Sequence, residues 1–190
     1  GLDPHLKTAC NFPQLAGMGY EEAKRCKSEG PALADRHGVP EPVLERVLDW
    51  ALDQVNRVGS VMDVAPPPQL LHLGVPAADA TTIMRSLVVK VMRQFAKSPG
   101  VFGWMGGMGA ATLARAARGY GVQTSVEQAQ LVIDVLNETY PEGRYCARWA
   151  TEECSGESAA THVQRMSLRR RGGCNYTALR NTVFQGGIAD

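Results

Sequence analysis

The segment VPAADATTIMRSLVVKVMRQFAK, residues 75–97, is the one around which we expect the chain to be organised. Its larger apolar residues follow the 3.6-residue helical period and form one wide stripe: Ile83, Met84, Leu87, Val88, Val91, Met92 and Phe95. The opposite face carries four cations: Arg85, Lys90, Arg93 and Lys97. A stripe of this width is typical of a helix that packs into a core. The cationic face contacts either water or a polyanion, and the segment alone leaves both readings open.

Composition limits the fold class more than the function. A chain of 190 residues with 44% hydrophobic residues is long and apolar enough to bury a core as one domain or two closely packed lobes. Lys plus Arg number 20 and Asp plus Glu number 19, so any binding of a polyanion must come from local clusters. The five cysteines include no CxxC pair, which favours reduced thiols in a cytosolic protein and no structural zinc site.

The ends of the chain carry no recognisable targeting pattern. We expect no signal peptide, and no apolar run is long enough to predict a membrane span. The sequence begins at Gly1, so we expect a processed product, a polyprotein segment or part of a longer protein.

Helical periods bounded by glycine and proline predict an all-α fold, because no stretch keeps the alternation of a strand. We expect a compact helical core of about seven helices in two lobes, with extended N- and C-terminal arms. The predicted parts are an N-terminal arm at 1–19, a helical core at 20–173 with lobes joined near 64–75, and a C-terminal tail at 174–190. Helix breaks are expected at Gly30-Pro31 and at residues 98–100, and residues 158–171 are expected to form the last helix.

Motifs for catalysis and phosphate cradling are missing from the sequence. The four histidines are scattered, and none lies beside a GxSxG or a catalytic cysteine motif. The glycine-rich segment at 103–109 lacks the GxxxxGK[ST] order. We therefore expect a protein that is not an enzyme and that holds neither a metal nor a cofactor.

Two segments suggest nucleic-acid binding in different ways. Residues 32–44 have the outline of a helix-turn-helix, but the first turns of the second helix carry Glu41 and Glu45, which DNA phosphates repel. A DNA-binding regulator is therefore kept as an alternative only. The densest basic segment contains four arginines: Arg165, Arg169, Arg170 and Arg171. It suits either a solvated helix end or the neutralisation of phosphates.

Four short blocks of sequence follow one another along the chain. They are the Val39-Pro40 helix entry with its end at Gly59-Ser60, VMRQF at 91–95, YGVQ at 120–123 with LVIDV at 131–135, and ATHVQRM at 160–166 with GGCNY at 172–176. In this order the blocks resemble the coat proteins of flexuous filamentous plant RNA viruses, both potyvirus-like and potexvirus-like. The resemblance covers about residues 33–190.

That resemblance implies an RNA-binding site. In the family a serine, an arginine and an aspartate form a pocket for one nucleotide, and by block they correspond to Ser60, Arg93 and Asp134. Arginine suits a phosphate because its planar fork donates two parallel hydrogen bonds. Supporting charge is expected from Lys90, Lys97 and the arginines of the basic segment.

The function that the resemblance implies is that of a viral coat protein that polymerises helically around single-stranded genomic RNA without sequence specificity. The expected location is the virion and the host cell cytoplasm, and the expected partners are RNA and other copies of the chain. Polymerisation requires head-to-tail contacts, for which four apolar residues of the arm are candidates: Leu2, Leu6, Phe12 and Leu15. A helical structural subunit of a large organellar assembly is a second alternative.

Overall fold

The computed structural model describes residues 2–154, 160–163, 170–174 and 179. It confirms the all-α prediction, with one small hairpin added. The α-helices are α1 (Pro4–Ala9), α2 (Tyr20–Arg36), α3 (Glu41–Val58), α4 (Pro68–Leu71), α5 (Ala77–Phe95), α6 (Gly103–Met105), α7 (Ala110–Arg118), α8 (Val126–Thr139) and α9 (Glu142–Cys154). The other elements are 3-10 turns at Pro13–Leu15 and Val61–Asp63, a π-helical segment at Ala96–Phe102, and strands β1 (Ala160–Val163) and β2 (Arg170–Cys174).

Helix α5 is the centre of the fold, as its apolar stripe predicts. It contacts α1, α2, α3, α4 and the π-helical segment. Ile83, Met84, Val88, Met92 and Phe95 are buried, while the outer edge of the stripe is half-buried. The hydrophobic effect on this face therefore holds several elements to one helix.

Helix α2 continues through Gly30-Pro31, where the sequence predicts a break. A proline inside a helix removes one backbone hydrogen bond, so this continuity needs a compensating contact. Gly30 makes such a contact possible. A Cβ at this position would overlap the side chain of Ser86, so only glycine lets α2 pack this closely on α5. The glycine thus allows the two helices to approach closely, and tertiary packing overrides the local signal.

The predicted break at residues 98–100 is also wrong. The chain passes from α5 directly into the π-helical segment Ala96–Phe102 and then into α6. Wider π turns are a known way to accommodate a residue that the regular helical hydrogen-bond ladder excludes, and Pro99 lacks an N–H.

The N-terminal segment folds against the core instead of forming an extended arm. Leu6, Phe12 and Leu15 are buried within the same chain, and the Phe12 and Phe95 ring centroids are 5.1 Å apart. Prediction of these three residues as subunit contacts is therefore corrected, because their apolar surface is already covered. Leu2 is 62% exposed and stays available for a contact.

The segment between the two predicted lobes is short and packed. It contains α4, whose Leu70 is fully buried. Buried residues on both sides of the segment belong to one hydrophobic cluster, which includes Val47 of α3 and Val88 of α5. The lobes expected to join near 64–75 thus share a core.

Strands β1 and β2 replace part of the helix predicted at 158–171. They pair antiparallel, with Ala160 opposite Cys174 and Val163 opposite Arg170. β-Branched Thr161 and Val163 favour this pairing, since such residues suit a pleated surface better than a helix. Apart from Cys174 and Leu179, the predicted C-terminal tail lies outside the described residues.

Candidate nucleic-acid interface

Ser60 and Asp134 have local structural roles in the fold. Ser60 is buried, its Oγ donates to the Ala16 carbonyl oxygen at 2.6 Å, and it accepts from the Met62 amide at 3.1 Å. It therefore caps the 3-10 turn that follows α3. Asp134 is exposed on α8 and accepts a 2.9 Å hydrogen bond from Gln130 Nε2, one helical turn away.

Arg93 has a third, separate environment. Its Nε donates to Asp3 Oδ2 at 2.6 Å, and its side chain is 30% exposed. Within the described part of the chain, no hydrogen bond or ion pair joins Ser60, Arg93 and Asp134. The structure does not bring the three together by direct contact, so their common nucleotide pocket stays a prediction.

The surroundings of Arg93 form a compact charged cluster. Asp3 accepts from Arg93 and also from Lys27 Nζ of α2 at 3.0 Å, while its second oxygen Oδ1 accepts from the Leu6 amide at 3.1 Å. One carboxylate thus caps α1 and links that helix to α2 and α5. Sequence reasoning missed Asp3 and Lys27, although the Asp3-Pro4 pair is a helix-start signature that could have located α1.

Lys97 follows Arg93 by four residues, in the π-helical segment. Burial and the positive charges of Arg93 and Lys97 lower the pKa of His5, whereas the negative charge of Asp3 raises it. We name Lys27, Arg93 and Lys97 the cationic cluster. Its three positive charges exceed the single negative charge of Asp3.

Asp3 remains ionised in this environment. Burial by itself raises its pKa, but hydrogen bonds from Arg93, Lys27 and the Leu6 amide outweigh burial and hold the pKa well below its usual range. The cluster therefore keeps a fixed arrangement of charges at neutral pH.

Lys90 and Arg85 lie in other surroundings, although both belong to the cationic face of α5. Lys90 is exposed at the rim of a groove of about 290 Å³ between α3 and α5, which Glu41 and Glu45 also line. Arg85 donates through Nη1 to Glu22 of α2 at 3.2 Å. The cationic face is thus divided among three environments.

The basic segment near the C-terminus contributes less to the described structure. Arg170 and Arg171 lie on β2, whereas Arg165 and Arg169 lie outside the described residues. Their proposed contacts with phosphate remain predictions.

A polar cavity of about 680 Å³ lies beside the end of α3 and the start of α8. Asn56 crosses this region, because its Nδ2 donates to the Gly121 carbonyl oxygen at 3.2 Å and its Oδ1 accepts from the Gln123 amide at 3.1 Å. These bonds hold the loop before α8 in place, so the polar lining of the cavity has a structural role.

In the described ranges, no group of three or more His, Cys, Asp or Glu side chains is arranged to hold a metal ion. Nor does any helix there combine the length and apolar character needed to cross a bilayer.

Comparison with family models, curated proteins and solved structures finds no match for this chain. The resemblance to filamentous-virus coat proteins therefore rests on the sequence blocks alone, and the function that it implies is a proposal.

Proposed function

We propose that this chain is a coat protein that polymerises helically around single-stranded RNA and binds it without sequence specificity. The observation that carries the proposal is the cationic cluster, which combines residues of α2, α5 and the π-helical segment at one place. Two cations bind one carboxylate, and Lys97 adds a third positive charge, which leaves an excess of positive charge for a polyanion.

Arg93 is well suited to bind a phosphate. Its Nε is occupied by Asp3, and its two Nη groups have no hydrogen-bond partner in the part of the chain that the structure describes. Asp3 thus fixes the orientation of the guanidinium while leaving donors for a phosphate oxygen. Lys27 is 39% exposed and adds a second cation beside it.

Phosphate binding explains why sequence specificity is not expected. A coat must package every stretch of its genome, and phosphates supply affinity whatever the base sequence. The proposal assigns no catalysis, metal or cofactor to the chain, and its place of action is the virion and the host cell cytoplasm.

Helical polymerisation requires a head-to-tail interface that does not close into a ring. The groove between α3 and α5 is a candidate surface, because half-buried Leu44, Leu48 and Leu87 line it. Exposed Leu2 and the exposed pair Leu71 and Leu73 are candidate apolar contacts for a neighbouring copy.

Arg93→Ala tests the RNA-binding half of this proposal, with Arg46→Ala as the control. Both substitutions remove one positive charge, but Arg46 is an exposed residue of α3 outside the cluster. We expect Arg93→Ala to weaken oligouridylate binding and to reduce the slope of log K against log salt by about 0.7, the value for one phosphate contact on a single strand. Fluorescence anisotropy at several salt concentrations measures both quantities. Equal effects of the two variants would contradict the proposal.

Negative-stain microscopy of the purified protein, with and without RNA, tests the assembly half. Filaments that contain RNA support a coat protein. Small particles that bind duplex DNA with sequence preference would favour the regulator, and particles that bind no nucleic acid would favour a subunit of a larger assembly.

A further inference from the structure

An aromatic pocket of about 370 Å³ lies beside the cationic cluster. We define it by its lining residues: Pro4, His5, Trp104, Met105, Tyr140, Glu142 and Gly143. We infer that this pocket receives one nucleobase of a single-stranded RNA whose phosphates bind the cationic cluster. The inference rests on the proposed function and adds which part of the RNA binds in the aromatic pocket.

The pocket wall is rigid and aromatic. Trp104 is buried, and its Nε1–H donates to Asn137 Oδ1 at 3.1 Å, which fixes the indole. The Tyr140 ring lies with its centroid 6.2 Å from that of Trp104, at an interplanar angle of 41°. The two tilted rings, of which Trp104 is fixed by its hydrogen bond, offer an apolar surface to a flat ligand.

Gly143 makes this wall possible. A Cβ at this position would overlap the Trp104 ring, so the glycine lets the start of α9 lie directly against the indole. Gly143 is itself buried. The close approach brings α9 to the same pocket as Pro4 and His5 of α1.

His5 links the pocket to the charges. Its ring lines the pocket, and the positive charges of Arg93 and Lys97 act on it. Pro4, another lining residue, is the immediate neighbour of Asp3, which Arg93 and Lys27 bind. The aromatic surface and the cations are therefore adjacent parts of one region.

Two acidic groups also belong to this region. Glu142 is exposed and lines the pocket, and Asp3 lies within the cluster. Three cations still outnumber these two carboxylates, so the local field remains positive. Glu142 further provides an acceptor for an N–H group on the edge of a base.

A nucleobase is the ligand that fits this combination. The cavity volume falls within the range of ordinary small-ligand pockets, which are mainly apolar with a few polar groups. Single-stranded nucleic acids are bound elsewhere by cations on the backbone and aromatic rings on the bases, and such stacking tolerates any base. The pocket thus suits binding that is independent of sequence.

Tyr140→Leu tests the inference, because leucine keeps an apolar side chain and removes the aromatic face. The matched control is Tyr145→Leu on α9, where the tyrosine is 75% exposed and lies outside the pocket lining. Tyr140→Phe is the conservative variant, since it keeps the ring. Circular dichroism melting verifies that each variant is folded.

The probes are a labelled oligouridylate and an abasic phosphodiester of the same length. We expect Tyr140→Leu to weaken oligouridylate binding by about 5- to 150-fold, the range for loss of one stacked base, and to leave binding of the abasic strand unchanged. Tyr140→Phe and Tyr145→Leu should bind both probes as the wild type does.

The possible outcomes separate this inference from the proposed function. Wild-type affinity of Tyr140→Leu for oligouridylate, or an equal loss for both probes, would overturn the nucleobase pocket while salt-dependent binding through Arg93 stands. Failure of the wild type to bind either probe would overturn both. A change in self-association at constant RNA affinity would assign the pocket to a neighbouring copy and reject the nucleobase.

Photo-crosslinking of the wild type gives a measurement that needs no variant. A 4-thiouridine strand should crosslink to peptides that contain Trp104, Met105 or Tyr140. Crosslinks confined to other peptides would contradict the inference.

Discussion

Arg93 and Lys90 lie three residues apart on α5, yet their surroundings differ. Arg93 faces α1 and α2, where Asp3 binds it directly and Lys27 shares the same carboxylate. Lys90 lies at the rim of the groove between α3 and α5 and has no hydrogen bond or ion pair within the described ranges. The comparison shows that position on a cationic helix face does not define a site. A partner that fixes the side chain and a neighbouring cation define it better.

The largest loss of stability should come from a substitution that removes the packing beneath the Arg93 region. Phe12 is buried against Phe95, and with Leu6 it holds the N-terminal segment to α5. We expect Phe12→Ala to lower the free energy of unfolding by about 3–5 kcal/mol, because a cavity replaces a buried ring. Denaturant unfolding measures the change.

Exposed Leu2 supplies the control for that experiment. Leu2→Ala should change the free energy of unfolding by no more than about 0.5 kcal/mol, as is usual for surface positions. Equal stability of Phe12→Ala and the wild type would mean that the N-terminal segment is not part of the core. By the same reasoning, deletion of residues 1–19 should destabilise the subunit as well as affect its polymerisation.

Asp3→Asn should have a smaller effect that depends on pH. The Asp3 pKa lies well below its ordinary value in the folded chain, so the carboxylate stabilises the fold above about pH 4 and loses this contribution as the pH falls further. We expect a loss of about 1 kcal/mol at pH 7, since the ion pairs are partly exposed. The difference between Asp3→Asn and the wild type should shrink in acid.

Thermal melts between about pH 2 and pH 7 test this prediction. A difference that stays constant over the range would exclude the titration of Asp3 as its source.

The sequence predicts the helices better than it predicts the neighbours of Arg93. Helix α3 lies between its predicted entry at Val39-Pro40 and its predicted end at Gly59-Ser60. Most of the predicted stripe of α5 is buried, because a regular apolar period determines it, but the buried face also includes Ser86 and Val89 and leaves Leu87 and Val91 half-buried. The continuity of α2 through Gly30, by contrast, depends on close packing against Ser86 of α5, and no local sequence pattern contains that contact.

The candidate site was harder to predict for the same reason. The Asp3–Arg93 pair joins residues 90 positions apart, and no local pattern in either segment contains that contact. Trp104 and Tyr140 likewise come together only through the fold. A single-sequence pattern identifies a cation on a helix, but its partners come from the tertiary structure.

Lys90→Ala should have the smallest effect, and it tests the comparison most directly. The substitution removes one charge from the same helix as Arg93→Ala, so general electrostatic attraction would predict equal losses of RNA affinity. Lys90 instead faces the groove lined by Glu41 and Glu45. We therefore expect Lys90→Ala to leave the salt dependence of oligouridylate binding nearly unchanged, whereas Arg93→Ala reduces it. Equal slopes for the two variants, measured by the same anisotropy titration, would show that the entire face of α5 attracts RNA and that Asp3 and Lys27 do not single out Arg93.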